Sequence, residues 1–244
     1  MENLGKTLKF FSMDSTRLSL DEWVDAADAG LPASPRRSRV AIRAIPVKHR
    51  RKVADHLLAL SPNDRYLRFG YGARDEQINQ YVDRLDFDRD EIYGIYNRHL
   101  ALVAVAHLAY SVDAELQSCA EFGVSVLPHV RGRGLGARLF DRAMIHARNE
   151  GVRLFFIHAL SENVAMLRIA RKSGAVVERD GSESEAWLEL QAASLDSRLD
   201  EFLDDRIAAV DYRLKAQLKQ VRDLAEGVLQ VPQQVRAALF PPAQ

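Results

Sequence analysis

The sequence predicts an α/β fold: one central sheet flanked by helices, with a long helix appended at the C-terminus. Three observations lead there. Short apolar runs bounded by turn residues alternate with stretches of helical period. The stretch from Ala120 to Leu139 passes from a Val- and Phe-rich strand, through glycines at 132, 134 and 136, into a helical pattern. Beyond residue 193, apolar residues repeat every seven positions at Ile207, Leu214, Val221 and Val228. A chain of 244 residues is long enough to bury a full core, and its 47% hydrophobic content is ordinary for a globular protein.

Charge and cysteine usage narrow the function classes. Formal net charge is zero, so no global field favours nucleic acid or a membrane surface. Cys119 is the only cysteine, which rules out an internal disulfide framework and a Cys-rich zinc site. No metal is expected. The start of the chain lacks a basic-then-apolar signal pattern, and no apolar run reaches the ~20 residues of a membrane span. The expected location is the cytoplasm.

Taken in order, residues 1–38 read as a polar extension, with a possible capping box at Ser19-x-x-Glu22 ahead of Trp23. Val40 to Ile45 reads as a first strand, and Pro46 opens a helix carrying Val53, His56, Leu57 and Leu60. Basic residues cluster from Arg36 to Lys52 and read as a solvated face rather than a nucleic-acid patch. Ser61 to Gly72 reads as a packed turn or short helix, and Glu76 to Leu85 as a further helix. Asp86, Asp88, Asp90 and Glu91 form an acidic segment that reads either as a polar loop or as an acidic rim able to steer a cation. Glu91 to Tyr96 and Leu100 to Tyr110 read as a hairpin turning at Asn97-Arg98-His99. His107 and Cys119 read as packed strand residues.

The glycine turn has a specific physics. Pro128 cannot donate to a ladder and ends the strand. A helix N-terminus presents unpaired N–H groups and a positive dipole end. Glycines take positive φ and let a ligand approach the backbone, so successive N–H groups form a nest for an anion, most often phosphate. Arg131 and Arg133 add charge, and a pyrophosphate is the natural guest. Gly132, Gly134 and Ala137 literally satisfy G-x-G-x-x-A, yet Leu127 to Arg131 intervene between strand and first glycine, unlike a dinucleotide fingerprint. No Gly-Lys-Ser/Thr follows, so this is not a P-loop.

Arg131-x-x-Gly134-x-Gly136 resembles the R/Q-x-x-G-x-G/A signature of the GNAT superfamily of acyl-CoA-dependent N-acetyltransferases. Ala120 to Val126 resembles that family's fourth strand, with Glu121 at an acidic position. A strand from Arg153 to Leu160 follows the helix, with His158 a secondary site candidate on it. Asn163-x-x-Met166-x-x-Ile169-Ala170-x-Lys172-x-Gly174 resembles the family's next helix. Ala175–Glu178 and Ala186–Leu190 read as a closing strand pair.

The resemblance implies a mixed, mostly antiparallel sheet in a domain at 39–192, with residues 193–244 appended as a helix and tail. It implies acetyl-CoA as donor and a primary amine, on a small molecule or a protein lysine, as acceptor. Donor-binding residues would be Val124, Val126, Arg131, Gly132, Arg133, Gly134, Leu135, Gly136 and Asn163. Glu121 is expected as general base, because a lysine-like amine with a pKa of ~10.4 must lose a proton before it attacks. Ala170 stands where relatives place a tyrosine acid, which leaves Tyr110 as the candidate proton donor to the thiolate. A non-catalytic acyl-CoA-binding module acting through the C-terminal helix is the alternative. That helix must bury its apolar stripe against its own domain, a second copy or a protein partner.

Overall fold

The computed structural model describes residues 40–111, 118–193 and 195–229. The possible capping box at Ser19 and the proline-bearing tail after 229 lie outside the described residues.

The described strands form a seven-stranded sheet in the order β1-β2-β3-β4-β5-β7-β6. They are β1 (Arg43–Ala44), β2 (Glu91–Tyr96), β3 (Leu102–Tyr110), β4 (Cys119–Val126), β5 (Leu154–Leu160), β6 (Val176–Asp180) and β7 (Glu183–Glu189). Every pairing is antiparallel except β4 with β5. The first strand is shorter than its apolar run suggests. Its two-residue ladder against Tyr93 and Gly94 stops where Pro46 turns the chain into a helix.

Three short helices cover one face: α1 (Arg50–Leu58), α2 (Pro62–Phe69) and α3 (Asp75–Asp83). The aromatic-rich segment after Ser61 resolves as a helix because Ser61 accepts from the Asp64 N–H, Pro62 fits the first turn, and Gly70 closes it at φ 79°. The other face holds α4 (Leu135–Asn149) and α5 (Val164–Lys172). Leu139, Phe140, Ala143 and Ala147 on α4 are fully buried against the sheet. Phe122, Phe140 and Phe155 form an aromatic cluster there, with centroids 5.2–5.6 Å apart.

The long C-terminal helix is α6 (Leu195–Leu229). Its contacts with the domain run through Ala208 and a set of polar residues, while Ile207 and Leu214 of the heptad stripe are exposed. Glu201 accepts from Arg142 and His146 of α4 at 2.6 Å and from Asn149, and Asp205 accepts from Arg142 at 2.6 Å. Tyr212 lies under the Arg43 guanidinium, 4.1 Å from ring centroid to carbon, and Lys215 donates to the Tyr96 carbonyl. Burial opposes the charge on His146, but Glu201 more than offsets this and raises its pKa. Burial likewise works against charge on Glu201, while hydrogen bonds from His146, Arg142 and Asn149 bring it down to about 2.

Candidate acyl-transfer site

β4 is the axis of the site. It pairs with β3 along its length, from Tyr110↔Ala120 to Ala104↔Val126. On its other side, pairing with β5 stops at Glu121↔Phe156, although β5 continues to Leu160 alongside β7. The sheet therefore forks after Glu121. The Leu127 N–H and the Cys119 carbonyl both turn toward the β3 side. Strand alternation then turns the backbone groups of Phe122, Val124 and Val126 into the fork. An extended ligand arm can add there as a strand does.

The glycine turn stands at the mouth of the fork. A short 3-10 turn, Pro128–Val130, leads to Arg131. Gly132 and Gly134 adopt φ of 76° and 73°, and a Cβ at either position would meet open space. Gly134 is the N-cap of α4 with no side-chain cap, and the first intrahelical bond runs from Arg138 N–H to the Gly134 carbonyl. The N–H groups of Leu135, Gly136 and Ala137 are the first-turn donors that helix geometry leaves over. Gly136 is set by packing: a Cβ there would lie 3.4 Å from Ile169 and 3.8 Å from Val126.

Arg131 is committed elsewhere. Its Nη2 lies 2.7 Å from Asp64 at the start of α2, and its Nε donates to the Val126 carbonyl at 3.0 Å. Burial disfavours the Asp64 charge, but bonds from Ser61 and Arg131 win and lower its pKa. Arg131 thus clasps α2 to the strand end, while Arg133 stays exposed. Asn163 also has a structural job: its Oδ1 accepts from Met166 N–H and its Nδ2 donates to the Leu67 carbonyl.

Glu121 sits at the fork point, solvent-exposed. With Gly123 and Ser125 it points toward α1–α3, by strand alternation. Tyr110 points the other way. It pairs with Ala120, packs on the α4 side, and its hydroxyl is buried without a hydrogen-bond partner among the described residues. Burial pushes its phenol pKa up. The two expected catalytic residues are therefore on opposite faces. Ala170 is fully buried. Cys119 is a buried thiol, and His158 is an exposed strand residue 3.6 Å from Glu185.

The acidic segment is largely consumed. Asp86 accepts from the N–H groups of Asp88 and Arg89. Asp90, 3% exposed in its side chain, holds Arg89 and His107. Burial opposes its ionisation, yet bonds from His107 and Arg89 hold its pKa at about 2. The His107 Nε2–H donates to Asp90 at 2.9 Å, and Nδ1 accepts from the Tyr81 hydroxyl at 2.8 Å. Tyr81 in turn accepts from Arg68 Nη2 at 3.0 Å. Beside this chain, His56 Nδ1–H donates to the Leu102 carbonyl and Nε2 accepts from Ser125. Burial lowers the His56 pKa to about 4. Arg68, Tyr81, His107 and Ser125 line one small pocket walled by Val53 and Val105.

Sequence reasoning missed Arg68, Tyr81 and Asp64. Arg68 and Tyr81 lie on separate helices and meet only when both fold onto the sheet. The available signal was Gly123, a glycine within an otherwise bulky strand, which marks a close approach.

Residues 63–175 match the model of the acetyltransferase (GNAT) family. That match implies acetyl transfer from acetyl-CoA. The fold is shared with solved structures of low identity. The GNAT domain of S. lividans PAT is 18% identical, with 61% of this chain and 89% of that one covered, at a TM-score of 0.53. The ribosomal-protein-alanine N-acetyltransferase of Brucella melitensis is 16% identical, with 61% and 99% covered, at 0.50. The yncA protein of Salmonella typhimurium, solved with its cofactor acetyl-CoA, is 15% identical, with 64% and 97% covered, at 0.50. Among the described residues there is no helix long and apolar enough to cross a membrane, and no metal-ligating cluster.

Proposed function

We propose that the protein is an N-acetyltransferase that moves an acetyl group from acetyl-CoA to a primary amine, with Glu121 as general base. The supporting observation is the coincidence of three features on β4: the fork, the nest at its mouth and an exposed carboxylate at its apex. The diphosphate of the donor is held by the N–H groups from Gly132 to Ala137, with Arg133 adding charge. The backbone of Val124 and Val126 lines the pantetheine arm. An N–H on that edge polarises the thioester carbonyl as negative charge develops on it.

Glu121 takes the amine proton directly or through water, the neutral amine attacks, and the thiolate leaves. A thiol with a cysteine-like pKa of about 8.5 is a tolerable leaving group without a dedicated acid. This fits a chain in which Ala170 replaces the usual tyrosine and Tyr110 faces away. The same absence of a placed acid supports a second reading, an acyl-CoA-binding module without turnover.

Calorimetric titration with acetyl-CoA tests the donor site, and amine-dependent thiol release separates the two readings. Binding with turnover supports the enzyme. Binding without turnover on a broad amine panel supports the module. A wild-type chain that does not bind acetyl-CoA overturns both.

A further inference from the structure

We propose that Arg68 is an anion subsite on the acceptor side, so that the preferred acceptor is an amine that also carries a carboxylate. This rests on the acetyltransferase reading above. Arg68 lies flat on β4 at Gly123: a Cβ at Gly123 would fall 2.6–3.0 Å from its guanidinium atoms. Only glycine leaves room for it. The guanidinium is oriented by Tyr81, whose hydroxyl accepts from it, and it sits 5.2 Å and 5.6 Å from the ring centroids of Phe69 and Tyr81. Tyr81 is fixed by His107, and His107 by Asp90. The chain thus positions a cation without neutralising it.

The contrast with its neighbours is the core of the argument. Arg65 is paired with Asp75, Arg89 with Asp90, Arg131 with Asp64, and Arg142 with Glu201 and Asp205. Among the described residues no carboxylate lies within ion-pair distance of Arg68. A half-buried charge without a counterion is costly, and a bound anion relieves that cost. Glu121 is two residues away on the same face, about 7 Å along the strand. An acceptor whose amine and carboxylate are a few bonds apart, as in an amino acid, spans from the base to the guanidinium.

The test is acetylation of free amino acids against their C-terminal amides by the full-length chain. The acids should be preferred about 10- to 100-fold in kcat/KM, the worth of one charge-assisted bond. Arg68→Gln should bring that ratio close to one, leave acetyl-CoA affinity unchanged by calorimetry, and Arg68→Lys should restore part of it. Tyr81→Phe keeps the charge but frees it, and should raise KM for acids alone. Equal use of acids and amides by the wild type, or equal losses on both in Arg68→Gln, overturns the subsite. Acetyl-CoA binding with no amino acid acetylated overturns the subsite and spares the donor site. Absence of acetyl-CoA binding fells the underlying reading.

A separate observation carries a second proposal: α6 pairs with α6 of a second copy of this chain, parallel and in register. Its docked face is Glu201, Asp205, Ala208, Tyr212 and Lys215. Its opposite face exposes Leu199, Leu203, Ile207, Val210, Leu214 and Leu218, each 40–65% exposed. Leu203, Ile207, Val210 and Leu214 fall on the a and d positions of a heptad, and Asp204, Asp211, Arg206 and Arg213 flank them. In a parallel pair Arg206 meets Asp211 of the second copy, twice by symmetry. An antiparallel pair centred on the helix sets Asp211 against Asp211 and Arg213 against Arg213. Sedimentation equilibrium of the full chain should give a dimer, and Leu203→Asp with Leu214→Asp a monomer whose melting is otherwise preserved. Arg206→Asp and Asp211→Arg should each weaken the dimer, and the double swap should restore it. A monomeric wild type, or a dimer that survives both Asp substitutions, overturns the pairing. Failure of the swap to rescue overturns the parallel register.

Discussion

The donor and acceptor sides of β4 are built by different means. On the proposed donor side, Val124 through Ala137 is one continuous segment, and the groups it offers to a donor are backbone N–H. On the acceptor side, Arg68, Tyr81, Asp90, His107 and Glu121 come from α2, α3, a loop, β3 and β4, and act through side chains. A backbone site needs only local conformation, which glycine and proline set. A side-chain site needs several elements to fold before its parts meet. Substitutions should therefore break the donor side locally and outright, and the acceptor side by degrees.

The largest effect is expected for Gly134→Glu. A non-glycine residue at φ 73° strains the N-cap, and a carboxylate there repels the diphosphate. Acetyl-CoA binding should fall below detection in calorimetry while the thermal melt still shows a folded protein. Retained binding would place the anion elsewhere.

Glu121→Gln comes next. Loss of a general base costs about 10²- to 10⁴-fold in kcat, and acetyl-CoA affinity should not move because Glu121 is outside the nest. Steady-state kinetics beside calorimetry reads both. Unchanged turnover removes Glu121 from the base role.

A smaller effect concerns the acceptor wall at low pH. His56 is buried and neutral, with its pKa brought from 6.5 to about 4 by burial. The folded state binds its proton less readily than the unfolded chain. The stability it contributes is complete above about pH 6.5 and is lost as pH falls toward 4, by about 3 kcal/mol in all at 1.36 kcal/mol per unit. Denaturant unfolding at pH 7 and pH 4 should show this loss, and His56→Gln should reduce it. The same slope in both proteins would assign it to other groups.

The smallest effect is expected for Gly123→Ala. The new methyl meets only the far end of the Arg68 side chain, which can shift aside at the cost of its bond to Tyr81, so stability should shift by about 1 kcal/mol or less. The displaced guanidinium should raise acceptor KM several-fold with acetyl-CoA affinity unchanged. A fall in donor affinity instead would mean that the two sides are not separable.

The residues show why one side was legible. Pro128, Gly132 and Gly134 name their own conformations, so the strand, turn and helix start could be read directly, and the fork follows from where β4 and β5 part. The acidic segment at 86–91 was legible as charge but not as function, because only packing shows that Asp90 already holds His107 and Arg89. Arg131 and Asn163 belong to motifs, yet their side chains are taken up by Asp64, Met166 and Leu67. Tyr110 was a candidate by proximity in sequence, and pleat parity sends it to the opposite face from Glu121.

The sequence by itself determined the αβ pattern, the glycine turn and the helix start after it, the heptad of α6 and the identity of the residue at the fork. Each depends on periodicity or on φ preferences of single residues, which are local properties. Tertiary structure alone decided that Arg68 has no carboxylate within ion-pair distance among the described residues, where the acidic segment spends its charge, and which face of α6 meets its own domain. Those outcomes depend on distances between residues far apart in the chain, and folding sets them through the competition of many contacts.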